Sequence, residues 1–190
     1  MNHIHHTEAI VLGGYSRGEA DRQIVLYTRD LGLVRADARG FRKPTSKQRF
    51  ALQPYMVAQI DLIVTKAAYR AGSTDLILSL GSLDMATLTA LHRIAGLVRR
   101  LVPEQEKNEP LFEAIIEVIN FISIKNQTID IASLELLAVF RILFYLGYVT
   151  DSGEKSILEA PITPELLVQV ALRREALTKE VNKSLKETML

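Results

Sequence analysis

The sequence contains no cysteine among its 190 residues. It therefore has no residues for a disulfide framework, a thiolate metal site or a cysteine nucleophile. No apolar run reaches the roughly 18 residues that a helix needs to cross a bilayer, since the longest, at 136–146, is interrupted by Arg141. The first residues, MNHIHH, lack the charged-then-apolar pattern of a signal peptide. These absences lead us to expect a cytoplasmic protein that does not associate with membranes.

Sequence motifs for catalysis are also missing. No P-loop, dinucleotide-binding, nucleophile-elbow or HExxH sequence occurs. His3 and His5 can align on one face of a strand, with His6 beside them, but no further ligand stands at a suitable spacing for zinc. Glu19 and Asp21 lie among arginines and are better explained as ion-pair partners than as an acid–base pair. We therefore predict no enzymatic activity, no cofactor and no metal.

Charge is distributed unevenly along the chain. Residues 1–80 hold 11 Lys and Arg against 7 Asp and Glu, whereas residues 81–190 hold 12 against 15. Within the first part, the segment 39–49 (RGFRKPTSKQR) carries five cations, no carboxylate and one aromatic residue, Phe41. Like charges together with Gly and Pro disfavour regular structure, so we expect a mobile loop. Such a loop suits the repeating anion of a nucleic-acid backbone, with Phe41 free to stack on a base. A solvated surface loop is the alternative.

The first eighty residues have the pattern of a small β-barrel. Five runs rich in Ile, Val, Leu and Tyr, at 8–14, 22–28, 33–39, 55–65 and 75–80, predict strands. In the third run, odd and even positions alternate between polar and apolar faces, and DLG at 30–32 predicts a tight turn before it. Five short strands with the longest loop between the third and fourth are typical of the OB-fold. In that fold, the face of strands two and three binds oligonucleotides.

Beyond Gly81 the hydrophobic period changes from 2 to about 3.6 residues, which indicates helices. We predict helices at about 84–102, 110–125, 131–146 and 164–188, with the very apolar third helix at the centre and a polar linker at 150–159. The predicted fold is therefore α+β with segregated parts. A five-stranded OB-fold barrel occupies residues 1–81, and an all-α helical domain that packs against it occupies residues 82–190.

Basic side chains near the predicted binding face are the candidate site. Arg17 and Arg22 flank the turn between the first two strands, and either nucleic-acid contacts or ion pairs with the acids of that turn account for them. Tyr55 is expected to begin the fourth strand as a core residue. We predict nucleic-acid contacts from Arg17, Arg22, Arg35, Arg39, Phe41, Arg42, Lys43, Lys47 and Arg49.

Several short segments together resemble the bacterial recombination mediators of the RecO family. They are TEAIVL at 7–12, GEADR at 18–22, TRDLG at 28–32, ARGFRKP at 38–44, LQP at 52–54 and LGY at 146–148. The resemblance implies an OB-fold followed by a helical domain, binding of single- and double-stranded DNA, and annealing of complementary strands in the nucleoid. It also implies help in replacing single-strand-binding protein (SSB) by RecA, with RecR as a partner.

The resemblance further implies that the acidic, apolar-ended tail of SSB docks on the helical domain. Arg99, Arg100 and Arg141 interrupt apolar helical runs and are our candidates for the rim of that groove, although each can instead extend from a buried stem to solvent or pair with a neighbouring glutamate. Most family members carry a four-cysteine zinc module after the LGY segment, where this chain has TDSGEK at 150–155. The chain thus looks like a zinc-free version. A protein-interaction adaptor and an RNA-binding OB-fold protein remain as alternatives.

Overall fold

The computed structural model describes residues 3–46, 48–66, 68–124, 129–149 and 155–187, with only the backbone at 155, 156 and 187. The chain forms two compact units. One comprises Met1–Gly81 with Val102–Phe112, and the other comprises Ser82–Leu101 with Glu113–Leu190. The domain boundary at residue 81 stays a prediction. None of the described helices is long and apolar enough to cross a membrane.

The first unit is built on a closed β-barrel. Its strands are β1 (Ile4–Arg17), β2 (Asp21–Thr28), β3 (Gly32–Ala38), β4 (Val57–Val64) and β5 (Tyr69–Leu78), with a short helix α1 (Gln48–Ala51) before β4. They close in the order β1-β2-β3-β5-β4, with β3 and β5 parallel and the other pairs antiparallel. This is the topology of an OB-fold, as the pattern of the first eighty residues predicts.

Strand alternation fills the barrel with small and branched apolar side chains. Val34 and Ala36 point inward and are at most 1% exposed, whereas Arg35 between them is exposed, as the sequence predicts. The interior cluster comprises Ala9, Val11, Ile24, Leu26, Val34, Ala36, Ala38, Phe41, Leu52, Ile60, Leu62 and Ala71. Because successive residues face opposite sides, the register also assigns each polar side chain to the interior or the outer face.

Three strands differ from the prediction, and β1 (Ile4–Arg17) extends beyond the predicted 8–14 at both ends. β4 begins at Val57 because Tyr55 adopts a left-handed conformation with φ 68°, so Tyr55 is a turn residue and not the start of the strand. Its N–H donates to the Val11 carbonyl at 2.7 Å, which anchors this turn on β1. β5 begins at Tyr69, well before the predicted residue 75, because its first residues pair with β3 in parallel and close the barrel.

A segment between two helices covers the edge of β3, and we call this segment, Val102–Phe112, the strap. The N–H of Gln105 donates to the Leu33 carbonyl at 2.9 Å, and Leu33 and Glu104 form a parallel bridge. Leu33 faces outward yet is only 1% exposed, because the strap lies over it. Gly32 has φ +65°, and a Cβ there would meet the Glu106 carbonyl oxygen at 2.0 Å. The strap therefore requires glycine at this turn.

The strap also buries the outer face of β2. The Tyr27 hydroxyl donates to the Asn108 carbonyl at 3.2 Å, and its ring packs 5.9 Å from that of Phe112. The Arg29 guanidinium lies 4.7 Å from the centre of the same Phe112 ring. Tyr27 is fully buried, and this burial, with the nearby charge of Glu106, raises the pKa of its phenol. One end of the β2–β3 face is thus closed to solvent.

The second unit is helical. Its elements are α2 (Met85–Leu101), α3 (Glu109–Ser123, whose first turn belongs to the strap), α4 (Ile131–Tyr145), α5 (Lys155–Glu159), α6 (Pro164–Leu172) and α7 (Arg174–Glu187). α4 packs against α2, α5, α6 and α7 and is the buried centre, as predicted. The Asp130 carboxylate caps α4 by accepting from the Ser133 N–H at 3.1 Å, and Thr163 caps α6 in the same way.

Two helical predictions are wrong. The last helix is divided at Arg173 into α6 and α7, and Arg173 ends α6 by donating its N–H to the carbonyls of Gln169 and Val170. The segment expected to be a polar linker contains α5, because Ile157 and Leu158 are at most 2% exposed and give this short helix an apolar face. Residues 150–154, where the zinc module would lie, are outside the described residues.

Candidate nucleic-acid interface

The basic segment is ordered by its own turns, contrary to the expected mobile loop. The Lys43 N–H donates to the Gly40 carbonyl and the Ser46 N–H to the Lys43 carbonyl, each at 3.0 Å. Lys47 lies outside the described residues, and α1 begins at Gln48. Charge repulsion acts between side chains, and these point into solvent, so it does not prevent backbone hydrogen bonds from closing the turns.

Contacts with the β1–β2 turn fix the position of this segment. The Arg42 N–H donates to the Ala20 carbonyl at 2.9 Å. The Asp21 carboxylate accepts from the Gly40 N–H at 2.7 Å, so this acid binds backbone and not a neighbouring arginine. At the other end, the Gln48 amide donates to the Gly72 carbonyl of β5 at 2.6 Å. The cations of the segment are therefore held at defined positions beside the barrel.

Phe41 is buried, which contradicts its predicted role as a base-stacking residue. Its ring is 4% exposed and belongs to the barrel core. An apolar ring at the open end of a barrel is stabilised more by burial than by exposure on a loop. The Arg22 guanidinium lies over this ring, 5.3 Å from its centre, in a cation–π contact. Phe41 thus supports an arginine and leaves little of its ring available for stacking on a base.

The register places Arg22 on the interior side of the barrel mouth and not on the outer face of β2. Arg22 pairs with Ser16 on β1 and with Ala38 on β3, and paired residues share a face. Ala38 points into the core, so Arg22 does too, with its guanidinium Nη2 donating to the Gly14 carbonyl at 3.4 Å. A Cβ at Gly14 would lie 2.4 Å from the Gln23 carbonyl oxygen, so only glycine allows this close packing.

A concave site, which we call the mouth pocket, opens beside Arg22. It has a volume of about 440 Å³ and is lined by Gly14, Ser16, Arg22, Phe41, Arg42, Arg49 and Gln53. Three guanidinium groups therefore border one cavity, and none of the described residues that line it carries a carboxylate. Among the described residues, no carboxylate forms an ion pair with Arg39, Arg42, Lys43 or Arg49. This arrangement favours an anion.

The open part of the outer face has a different character, because its cations are neutralised. Arg17 donates to both carboxylate oxygens of Asp37 at 2.8 Å, so its partner lies on β3 and not in its own turn. Gln23 donates to the same carboxylate at 3.1 Å and accepts from the Tyr15 hydroxyl. Arg35 donates to the strap's Glu104 at 2.6 Å, and this bond raises the pKa of its guanidinium. A phosphate at Arg17 or Arg35 therefore competes with a carboxylate that each arginine already binds.

The sequence pattern did not single out Phe50, an exposed aromatic side chain next to the basic segment. Phe50, in α1 directly after Arg49, is 73% exposed. Ala51 and Leu52 are buried, so the helical phase leaves Phe50 on the solvent side. An aromatic residue immediately after a basic run is the signal that could have found it. Tyr15, which is 52% exposed, is the second ring available for stacking.

The predicted rim cations of the helical unit do not form one group. Arg99 and Arg100 are exposed in the last turn of α2. Arg141 is 2% exposed and wrong as a rim residue. It donates to the Glu117 carboxylate at 2.7 Å and to the Ile157 carbonyl at 3.1 Å. Burial drives this pairing, because a guanidinium removed from water needs both a counter-charge and hydrogen bonds.

A groove lies instead along α6 and α7, and we call it the helix groove. It has a volume of about 970 Å³ and is lined by Ala171, Leu172, Arg174, Glu175, Thr178, Lys179, Asn182, Lys183 and Lys186. Leu172 is 82% exposed and Val168, in an adjoining pocket, is 60% exposed. The groove therefore combines an apolar floor with a predominantly basic rim.

No metal centre forms among the described residues. None of them belongs to a group of three or more His, Asp or Glu side chains that could hold an ion. The His3 and His5 rings do align, with centres 4.5 Å apart, as the alternate spacing of two residues at the start of β1 predicts. His6 is directed elsewhere and lies 2.6 Å from the Asp61 carboxylate.

Family models match both parts of the chain. The model described as "Recombination protein O N terminal" matches residues 1–68. The model described as "Recombination protein O C terminal" matches residues 82–166. The first match includes every residue of the mouth pocket.

Curated relatives that match are described as "DNA repair protein RecO". The chain is 30% identical to "DNA repair protein RecO" of Pelotomaculum thermopropionicum over 122 residues, which are 63% of this chain and 48% of the relative. It is 35% identical to that of Heliobacterium modesticaldum over 103 residues, covering 53% and 38%. For Desulforamulus reducens the identity is 26% over 166 residues, covering 84% and 61%. The chain thus spans about half the length of these relatives.

Proposed function

The chain belongs to the RecO family, and from that premise we propose that it acts in recombinational DNA repair by binding DNA at the barrel mouth. The observation that carries this proposal is the mouth pocket, where three arginines border one cavity and no carboxylate occurs among the lining residues that the structure describes. Uncompensated cations repel one another, and a phosphate relieves that repulsion while releasing counterions from the DNA. The proposed role is binding and not catalysis.

The proposed phosphate contacts are the cations at and around the mouth pocket. Arg22, Arg42 and Arg49 line the pocket, and the exposed Arg39 and Lys43 extend the same positive surface. These five side chains are the proposed phosphate contacts, together with Lys47, whose position lies outside the described residues. Their guanidinium and ammonium groups neutralise phosphates regardless of base sequence, so we expect binding to most sequences alike.

Base stacking is the second component of the proposed interface. Phe50 and Tyr15 are exposed and can lie against bases of a single strand, while Phe41 holds Arg22 in place from below. Duplex DNA hides its base faces, so it would use only the phosphate contacts. We therefore expect single strands to bind more tightly than duplexes, with both bound.

Strand annealing follows from the same surface. Cations that neutralise the phosphates of one strand lower its repulsion for a second strand, which favours pairing. By family resemblance, we further propose that the protein helps to replace SSB by RecA, with RecR as a partner, in the cytoplasm at the nucleoid. These partners are part of the proposal for the whole protein.

The helix groove is the proposed docking site for the SSB tail. That tail is acidic and ends in apolar residues, which complements a floor containing Leu172 and a rim containing Arg174, Lys179 and Lys186. Titration of a labelled tail peptide against the full chain tests this placement. We expect saturable binding that is lost with Leu172→Asp or with deletion of the peptide's last apolar residue. Binding that survives both changes would place the tail elsewhere.

Strand annealing of complementary oligonucleotides, naked and SSB-coated, tests the proposed function directly. We expect the chain to accelerate both reactions, with an effect that falls steeply as salt rises. Parallel titrations with DNA and RNA of the same sequence distinguish this role from that of an RNA-binding OB-fold protein. Absence of affinity for either polymer, with binding to acidic peptides alone, would favour a protein-interaction adaptor.

A further inference from the structure

The strap brings negative charge onto the face that OB-folds use for oligonucleotides. It carries Glu104, Glu106 and Glu109 within eleven residues and one cation, Lys107. Lys107 is paired with neighbouring carboxylates, since its ammonium lies 3.4 Å from Glu109 and 3.7 Å from Asp30. The strap therefore presents a net acidic surface beside β2 and β3.

Glu104 forms an ion pair with Arg35, a cation that would otherwise extend the proposed DNA interface. Its carboxylate accepts from Arg35 Nε at 2.6 Å, with the two side chains 50% and 44% exposed. Both groups are therefore accessible from solvent, where a phosphate can reach them. A carboxylate and a phosphate present the same kind of anionic oxygen to a guanidinium, so the two compete for Arg35.

We propose that the strap limits the DNA interface to the barrel mouth, with Glu104 as the residue that withholds Arg35 from DNA phosphates. This inference rests on the proposed DNA binding and adds where the DNA interface on the barrel ends. Glu104 belongs to the same chain as Arg35 and therefore has a high effective concentration beside it. A DNA phosphate displaces Glu104 only when other contacts already hold the DNA strand nearby. DNA thus contacts the pocket and the basic segment first, and β3 only weakly.

The strap stays on the barrel without the ion pair. Its backbone is held at Leu33 by the Gln105 N–H, and its aromatic end packs on Tyr27 through Phe112. An exposed pair of this kind contributes little to stability. Neutralising Glu104 should therefore free Arg35 without detaching the strap, which makes the charge effect separable from unfolding.

The isosteric variant Glu104→Gln tests the proposal, with binding of a labelled single strand measured across a salt series. One added phosphate contact steepens the slope of log affinity against log salt by about 0.7, and at 0.1 M salt it raises affinity about fivefold. Glu106→Gln is the matched control, because it removes the same charge from the same strap. Among the described residues, Glu106 has no ion pair with an arginine. We expect it to change affinity less than twofold.

Arg35→Gln identifies the cation responsible. In the Glu104→Gln background it should abolish the gain, whereas in the unaltered protein it should have little effect. Equal gains from both glutamate variants would mean that net charge alone acts and would overturn the proposal. A slope unchanged by Glu104→Gln would overturn it as well. In both of these outcomes the unaltered protein would still bind DNA. Failure of the unaltered protein and of every variant to bind DNA would instead refute the proposed function.

Discussion

Phe50→Ala is the change that best separates base stacking from charge in the proposed interface. Phe50 is 73% exposed, so almost its whole ring is available to a base and little of it stabilises the fold. Stacking on an aromatic side chain is worth about 1–3 kcal/mol per base. The variant should therefore bind single-stranded DNA roughly 5- to 150-fold more weakly. Its unfolding free energy should change by no more than about 0.5 kcal/mol.

Fluorescence anisotropy of a labelled oligothymidine across a salt series measures both affinity and its salt slope. The slope should stay that of the unaltered protein, because no charge is removed. Phe50→Tyr keeps the ring and should bind normally. Met85→Ala removes a side chain that is 75% exposed in the helical unit and serves as the matched control. Normal affinity of Phe50→Ala, or equal losses from Phe50→Ala and Met85→Ala, would refute the stacking assignment.

Four further predictions concern stability. Phe41→Ala should cost about 3–5 kcal/mol in denaturant unfolding, because it opens a cavity in the barrel core; a loss below about 1 kcal/mol would contradict its burial. Arg141→Ala should cost about 3–5 kcal/mol by leaving Glu117 half-buried without its counter-charge, and a neutral result would refute the ion pair. Asp130→Ala should cost about 1 kcal/mol at neutral pH. Hydrogen bonds from Ser133 lower the pKa of Asp130, so this difference should shrink in melts below about pH 4 as the carboxyl protonates; a pH-independent difference would argue against the cap. Thermal melts with and without a strong chelator should coincide, and a drop of more than a few degrees would indicate a metal site.

Hydrophobic period was sufficient to predict the barrel and the centre of the helical unit. Alternation around Arg35 located β3 and its two faces, and the apolar circumference of α4 predicted its central position. The strap was not predictable in this way. Its attachment depends on a tertiary bridge to Leu33 and on the close approach at Gly32, and neither leaves a periodic pattern in the sequence.

The candidate site was predicted as a region and not side chain by side chain. Charge alone located the basic segment, but burial decided against Phe41 and in favour of Phe50. Local sequence left Arg17 either to nucleic acid or to the acids of its own turn, whereas the sheet brings Asp37 to it from another strand. Arg141 interrupts an apolar run in the same way as an exposed arginine does, and only the fold provides its partner Glu117.

The salt dependence of single-strand binding tests the central claim most directly. The triple variant Arg42→Ala, Lys43→Ala and Arg49→Ala removes three proposed phosphate contacts, so the slope of log affinity against log salt should fall by about 2. A control triple removes the same charge from exposed positions of the helical unit, at Arg99, Arg100 and Lys179. The account predicts a flattened slope for the first triple and a nearly unchanged slope for the control. An unchanged slope in the first triple, or equal flattening in both, would contradict DNA binding at the barrel mouth.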